Sequence, residues 1–158
     1  SPYVGAVARE LGDKAHFRMV GPIDVQPEAL AKLAATVELA GPIPRSEMRS
    51  QFEWADVFLL PSLCEGSATA VYEALAAGLP VICTDNTGSV VRHGIDGYIV
   101  PIRDVTETAE ILRQLAGNAA TLARMSDSAR ERAGDFTVSR YGERLVQALA
   151  KHSRVDAR

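Results

Sequence analysis

The chain has 158 residues, a length typical of one domain, and 47% of them are hydrophobic, enough to build a buried core. Lysine and arginine number 17 and aspartate and glutamate 20, giving a formal net charge of −3. The basic residues form no dominant cluster, so nucleic-acid binding is not expected. No run approaches ~18 apolar residues and the amino terminus lacks the pattern of a signal peptide, which predicts a cytoplasmic protein.

Short apolar runs alternate with helical segments along the first two thirds of the chain. The runs predict strands at 17–20, 37–39, 57–60, 81–83 and 98–100. Strands that alternate with helices are typical of an α/β fold, in which a parallel sheet is built with right-handed crossovers. We therefore expect a parallel sheet with the helices packed on it.

Capping residues and glycines mark the helices. Ser46 is predicted to cap a helix that runs to about Trp54, and Asp104 to cap the next long one. Beyond it we expect two or three helices, broken near Gly117 and at 134–136. The apolar residues at four-residue spacing in the last helix, which we interpret as core contacts, are Tyr141, Leu145 and Leu149.

The most informative segment is 61–80, PSLCEGSATAVYEALAAGLP, which follows the buried run at 57–60. A turn of small residues in this segment leads into a helix, which we expect to begin near Ala68. With so little side-chain bulk, a ligand oxygen can approach the backbone N–H groups at the helix start, and phosphate is the expected ligand. The turn residues are Gly66, Ser67, Ala68 and Thr69.

Two carboxylates flank this turn. At about 100° per residue, Glu73 lies on the helix face opposite the apolar residues, and at ~1.5 Å rise per residue it lies roughly 6 Å from Thr69. That is close to the distance between a diphosphate and the ribose of its own nucleotide. Glu65 precedes the helix and would face the group on the far phosphate. Either glutamate alone is more often solvated or complements the helix dipole, but both follow a buried strand, where open α/β sheets bind ligands.

The segment 61–85, with its Glu-x7-Glu pattern, resembles the donor-site signature of the retaining glycosyltransferases of the GT-B fold, glycosyltransferase family 4 or group 1. Segments 37–41, 55–60 and 88–98 also resemble the family, so the similarity covers nearly the whole chain. It implies one Rossmann-like domain over 1–158, a three-layer parallel sheet with helices on both faces and further helices at its carboxyl end. That domain is the carboxyl-terminal half of a GT-B fold.

The resemblance also implies roles for individual residues. Glu65 would contact the donor-sugar hydroxyls and is the candidate catalytic residue, while Glu73 would bind the ribose. The backbone of 66–69 would hold the diphosphate, and Ile43 and Pro44 would pack on the base. The substrate would be a nucleoside diphosphate sugar, whose sugar is transferred to an acceptor with retention by front-face substitution. No metal or other cofactor is expected.

Further partners are implied by the resemblance. Family members have an amino-terminal domain that binds the acceptor, and an Arg and a Lys on an earlier strand and loop that neutralise the leaving diphosphate. We expect these, and the first strand of the donor domain, to be absent from 1–158, so that the chain alone does not turn over substrate. The last helix would cross to the other domain, and its apolar area, exposed without that domain, would favour a homodimer. Peripheral membrane association through the absent domain stays open.

Other interpretations stay open beside this one. The chain could be a non-catalytic sugar-nucleotide-binding or protein-interaction module of the same fold, a sugar-nucleotide epimerase or a sugar phosphorylase. An epimerase should show acid and base residues beyond Glu65, and a phosphorylase a lysine for pyridoxal phosphate, which 61–80 lacks. Cys64 and Cys83 lack the spacing of a zinc site, so we interpret both as buried free thiols. Because both lie at the ends of strands that we expect to be neighbours, an occasional disulfide between them stays open.

Overall fold

A computed structural model describes residues 2–152. Its strands are β1 (Arg18–Val20), β2 (Glu38–Gly41), β3 (Phe58–Leu60), β4 (Val81–Thr84) and β5 (Gly97–Val100). The α-helices are α1 (Pro2–Leu11), α2 (Pro27–Ala34), α3 (Met48–Trp54), α4 (Thr69–Ala77), α5 (Val105–Ala116), α6 (Ala119–Gly134) and α7 (Val138–His152).

All paired strands run parallel in the described residues, which confirms the predicted α/β fold class. They form two ladders, one with the order β1-β2 and one with the order β3-β4-β5. In the second ladder Phe58 is aligned with Val81, and Ile82 with Tyr98. The five predicted strand positions are confirmed, with bounds that differ by one or two residues.

The central strand β4 explains why helices cover both faces of the second ladder. All of its residues are buried. Val81 and Cys83 belong to a core cluster with residues of α4 and α6, whereas Ile82 belongs to one with residues of α5. Successive side chains of a strand point to opposite faces, so the first three residues of this strand, 81–83, are all apolar. Burying each such side chain contributes roughly 1.5–3 kcal/mol.

Helix α1 joins the two ladders on one face. Val4 and Ala8 pack in a cluster with Leu33 of α2 and with residues of β1 and β2. Val7 and Leu11, on the neighbouring face of α1, pack instead with Ala109 of α5. The apolar residues of α1 thus contact the helices over both ladders.

The helix boundaries confirm most of the predicted signals. The side chain of Asp104 accepts a hydrogen bond from the N–H of Glu107, and breaks follow Ala116 and Gly134. The predicted cap at Ser46 is wrong. Ser46 lies inside a 3-10 turn, and α3 begins only at Met48. The turn starts upstream because the carbonyl of Pro44 accepts the N–H of Glu47 at 2.9 Å.

The interpretation of the last helix as a core element is also wrong. Tyr141, Leu145 and Leu149 lie on one face of α7, as their spacing predicts, but they are 61%, 46% and 60% exposed. Just before α7, the ring of Phe136 packs edge-on against Tyr72 of α4, with centroids 5.5 Å apart. Within residues 2–152, no helix is long and apolar enough to cross a membrane.

The two cysteines are free and differ in exposure. Cys83 is buried in β4, whereas Cys64 is exposed, so its predicted burial is wrong. Burial raises the pKa of the Cys83 thiol, and the hydrogen bond to Ser89 Oγ offsets this only in part. Since the thiolate is the reactive form, we expect iodoacetamide to label Cys64 in the native protein and Cys83 only after unfolding, as measured by peptide mass spectrometry. Equal labelling of both in the native state would contradict this burial.

Candidate functional site

The loop that follows β3 is held in place by the last residue of β4 and by a residue just after it. The N–H of Glu65 donates to the carbonyl of Asn86 at 2.8 Å, and the Asn86 side chain donates to the carbonyl of Leu63 at 2.7 Å. The hydroxyl of Thr84 donates to the carbonyl of Ser62 at 2.5 Å. These bonds satisfy backbone groups of an irregular segment and fix its shape before any ligand binds.

Gly88 is a site residue that our sequence interpretation missed. It has φ +58°, a left-handed conformation that favours glycine. A Cβ atom added there would lie 2.2 Å from the carbonyl oxygen of Gly66, in the small-residue turn. Both its conformation and its surroundings therefore require glycine. The sequence shows a glycine just after a buried strand, but only the fold brings it against Gly66.

The start of α4 lacks the side-chain cap that stabilises two other helices. Asp104 and Asn118 accept backbone N–H groups at the starts of α5 and α6. At α4 the capping position is Ala68, and among the described residues no side chain caps it. The first N–H groups of α4 therefore lack such an acceptor, and an anion can supply one. Ser67 and Thr69 on either side of Ala68 are exposed.

Glu73 lies in the second turn of α4, with 34% of its side chain exposed. Its carboxylate accepts a hydrogen bond from Arg45 at 2.9 Å. Arg45 is 88% exposed, so this ion pair contributes little to stability, about 0–1 kcal/mol. Arg45 directly follows the half-buried Ile43 and the exposed Pro44. The pair therefore brings the predicted base-binding loop beside the predicted ribose-binding carboxylate.

Glu65 has a different set of neighbours. It is exposed, and its carboxylate accepts a hydrogen bond from the hydroxyl of Ser62 at 2.8 Å. Nearby, the hydroxyls of Ser67 and Tyr72 lie 3.1 Å apart. Neither glutamate is buried, so both carboxylates stay accessible to a ligand. Within residues 2–152, no group of three or more His, Cys, Asp and Glu residues is arranged to hold a metal ion.

The comparisons with known sequences agree with the resemblance. A family model described as "Glycosyl transferases group 1" matches residues 3–118. The amylovoran biosynthesis glycosyltransferase AmsK of Erwinia amylovora is 36% identical over 88 residues, which are 51% of this chain and 22% of that protein. A D-inositol 3-phosphate glycosyltransferase of Streptomyces coelicolor is 34% identical over 119 residues, 70% of this chain and 26% of that protein. The chain thus spans about a quarter of the length of these two relatives.

Solved structures show the same fold. HepE from Anabaena, crystallised with UDP and glucose, superposes with a TM-score of 0.78 at 18% identity, over 94% of this chain and 44% of that one. Sucrose-phosphate synthase from Thermosynechococcus elongatus superposes with a TM-score of 0.80 at 22% identity, over 98% of this chain and 42% of that one. At such identities the likeness establishes the fold.

Proposed function

Because this chain belongs to the group 1 glycosyltransferases, we propose that it is the donor-binding part of a retaining enzyme that transfers a sugar from a nucleoside diphosphate sugar to an acceptor. The observation that supports this most is the start of α4, which lacks a side-chain cap among the described residues and lies beside a loop fixed by 84–88. Carboxylates at Glu65 and Glu73 flank it. This arrangement suits a ligand with an anionic centre and hydroxyl groups on both sides.

Each part of the donor has a proposed partner. The diphosphate accepts hydrogen bonds from the backbone of 66–69, and the ribose hydroxyls donate to Glu73. The base packs on Ile43 and Pro44, which the Arg45–Glu73 ion pair holds close to α4. Because that pair is exposed, Arg45 can move aside at little cost when the ribose binds.

The proposed reaction is a front-face substitution at the anomeric carbon. The acceptor hydroxyl attacks from the face that the diphosphate leaves, the new glycosidic bond forms as the bond to the leaving oxygen breaks, and the acceptor proton passes to the leaving diphosphate. Backbone N–H groups at the start of α4 stabilise the charge that develops on the leaving group. Glu65 orients the sugar through its hydroxyls and does not act as a nucleophile, since no second carboxylate is assigned to the paired geometry of retaining hydrolases.

The rest of the enzyme lies outside these residues in our proposal. An amino-terminal domain binds the acceptor, so the isolated chain binds the donor without turnover. We also propose a cytoplasmic location, in line with two free thiols. A peripheral membrane contact would belong to the amino-terminal domain. HepE was crystallised with UDP and glucose, which makes UDP a first choice among the donors to test.

A thermal-shift panel with ADP, GDP and UDP tests the proposed function. A ligand that binds only the folded protein stabilises it by mass action, by ~2.7 kcal/mol at a concentration of 100 Kd. We expect at least one nucleoside diphosphate to raise the melting temperature, and its parent nucleoside, which lacks the diphosphate, to raise it much less. No shift with any nucleoside diphosphate or its sugar would contradict the proposal.

Replacing Glu73 by Gln should weaken binding of the nucleoside diphosphate by about 1–2 kcal/mol, because a charge-assisted pair of hydrogen bonds to the ribose is lost. Isothermal titration calorimetry measures the change. Glu53→Gln is the matched control, since Glu53 is also an exposed carboxylate paired with an arginine, Arg49, at 2.7 Å. Equal affinities in the Glu73 and Glu53 variants would count against the ribose assignment.

The exposed face of α7 supports a proposed homodimer of the isolated chain. Val138, Tyr141, Leu145 and Val146 are large apolar residues exposed along this helix. Contiguous exposed apolar area favours association in water. We expect sedimentation equilibrium to detect a dimer that Leu145→Glu dissociates. A monomer at high protein concentration would rule this out.

A further inference from the structure

Ser67, in the small-residue turn before α4, contacts that helix through its side chain. The hydroxyls of Ser67 and Tyr72 lie 3.1 Å apart, within hydrogen-bond distance. Tyr72 is the fourth residue of α4. Because helical side chains point back toward the amino terminus of their helix, a long side chain at this position reaches the turn before it. The hydroxyl of Tyr72 therefore lies beside the proposed diphosphate site.

The ring of Tyr72 is fixed by a second aromatic ring. Phe136 packs edge-on against it, with centroids 5.5 Å apart and an angle of 63° between the ring planes. The guanidinium groups of Arg132 and Arg144 lie 4.7 and 5.3 Å from the Phe136 centroid. Arg132 also donates to the carbonyl of Val90 at 2.9 Å. These contacts restrict the Tyr72 ring, so its hydroxyl is in place before a ligand binds.

The two hydroxyls together retain one hydrogen for a ligand. Each hydroxyl carries one hydrogen, and the bond between them uses only one of the two. A phenolic hydroxyl is more acidic than an alkyl one and is the better donor, which favours Tyr72 as the donor and Ser67 as the acceptor. The hydroxyl hydrogen of Ser67 is then left for a further acceptor. Ser67 is exposed, so a ligand can reach it.

The position of Ser67 indicates which part of the donor it meets. Glu73, proposed to bind the ribose, lies one turn further along α4 than Thr69. Ser67 lies on the other side of this helix start, two positions from Glu65, which is proposed to contact the sugar. Its neighbour is therefore the phosphate that carries the sugar, the far phosphate. Segment 61–80 contains no Lys or Arg, so all its donors to this phosphate are neutral.

We propose that the side-chain hydroxyl of Ser67 binds the far phosphate of the donor and that Tyr72 is the positioning residue that orients this hydroxyl. The assignment rests on the proposed function and adds two side chains to it, beyond the backbone N–H groups and the two glutamates. Tyr72 donates to Ser67 Oγ, and Ser67 donates to a phosphate oxygen. The pair thus favours a nucleoside diphosphate over the corresponding monophosphate, which lacks the far phosphate.

Titration calorimetry tests this role with the nucleoside diphosphate that gives the largest thermal shift and with its monophosphate, measured by competition. Ser67→Ala should weaken diphosphate binding about tenfold, the effect of one hydrogen bond to a charged group. Tyr72→Phe keeps the ring beside Phe136 and should weaken it about threefold to fivefold, because the Ser67 hydroxyl is no longer oriented. Both variants should change monophosphate binding by less than about twofold.

A double variant separates orientation from an independent contact. If Tyr72 acts through Ser67, combining Tyr72→Phe with Ser67→Ala should leave diphosphate affinity within about twofold of Ser67→Ala alone, because coupled effects do not add. Tyr98→Phe is the matched control. Tyr98 also packs edge-on against a ring, that of His93 at 5.5 Å, but it lies in β5. Its replacement should leave the affinity for both nucleotides unchanged.

Three results would overturn this assignment. Unchanged diphosphate affinity in Tyr72→Phe would remove the role of the hydroxyl. Equal losses for the diphosphate and the monophosphate would show that Tyr72 only supports the local structure. Additive losses in the double variant would give Tyr72 its own contact with the ligand. A wild-type chain that binds no nucleoside diphosphate would instead contradict the proposed function itself, and this assignment with it.

Discussion

Replacing Gly88 by Ala is expected to lower the free energy of unfolding by about 3 kcal/mol and to weaken nucleoside diphosphate binding at least tenfold. The left-handed conformation at φ +58° costs a residue with a Cβ about 1–2 kcal/mol. The added methyl group would lie 2.2 Å from the carbonyl oxygen of Gly66, and relieving such overlap costs roughly another 1–3 kcal/mol. The Gly66 turn must move, and with it the N–H groups proposed to bind the diphosphate. Urea denaturation and titration calorimetry measure the two effects.

Gly94 provides the control for this substitution. It also has a left-handed conformation, at φ +77°, but a Cβ added there meets nothing within 4 Å. Gly94→Ala should therefore cost only the conformational part, about 1–2 kcal/mol, and leave nucleotide affinity unchanged. If both variants lose affinity equally, the contact between Gly88 and Gly66 is not what shapes the site.

Replacing Asp96 by Ala is expected to lower the free energy of unfolding by about 3 kcal/mol. The Asp96 side chain is 0% exposed, and it accepts hydrogen bonds from the backbone N–H of Arg92 at 2.7 Å and from its Nε at 2.5 Å. Without the carboxylate the N–H of Arg92 loses its acceptor in a partly buried turn. We expect this loss of stability to lie at the lower end of the range for breaking a buried ion pair. The reason is that the Arg92 side chain is 36% exposed and keeps contact with water.

Two further variants separate the hydrogen bonds of Asp96 from its charge. Asp96→Asn keeps an acceptor oxygen and should cost less than Asp96→Ala. Asp127→Ala removes a carboxylate that is 83% exposed and paired with Arg130 at 3.1 Å, and it should change stability by no more than about 0.5 kcal/mol. A loss below 1 kcal/mol for Asp96→Ala in urea denaturation would show that this turn does not depend on the pair.

Local patterns were sufficient to predict the strands and their order along the chain. The run at 81–83, which forms most of β4, is short and apolar, as expected for a strand buried on both faces, and Asp104 has the side chain and position of a helix cap. Ser46 also has the side chain and position of a helix cap, but it does not cap α3. The carbonyl of Pro44 accepts the N–H of Glu47 and so starts a 3-10 turn that contains Ser46. A cap residue in the sequence therefore does not show by itself whether a helix or a 3-10 turn begins there.

Features that depend on distant residues were not predictable. The spacing of Tyr141, Leu145 and Leu149 indicates a common face but not whether anything covers it. Arg45 is paired with Glu73 across 28 positions, and Gly88 contacts Gly66 only because β3 and β4 are neighbours. Most of the site residues that the resemblance implies lie in the segment 61–80, whereas the residues that support this segment lie at the end of β4 and just after it.

The most direct test of the central claim is a two-dimensional ¹⁵N NMR titration of the chain with the nucleoside diphosphate that gives the largest thermal shift. If the diphosphate binds at the start of α4, the amide resonances of Ser67, Ala68 and Thr69 should show the largest changes, because their N–H groups would donate to phosphate oxygens. Saturable binding that leaves these three resonances in place while others move would contradict the account.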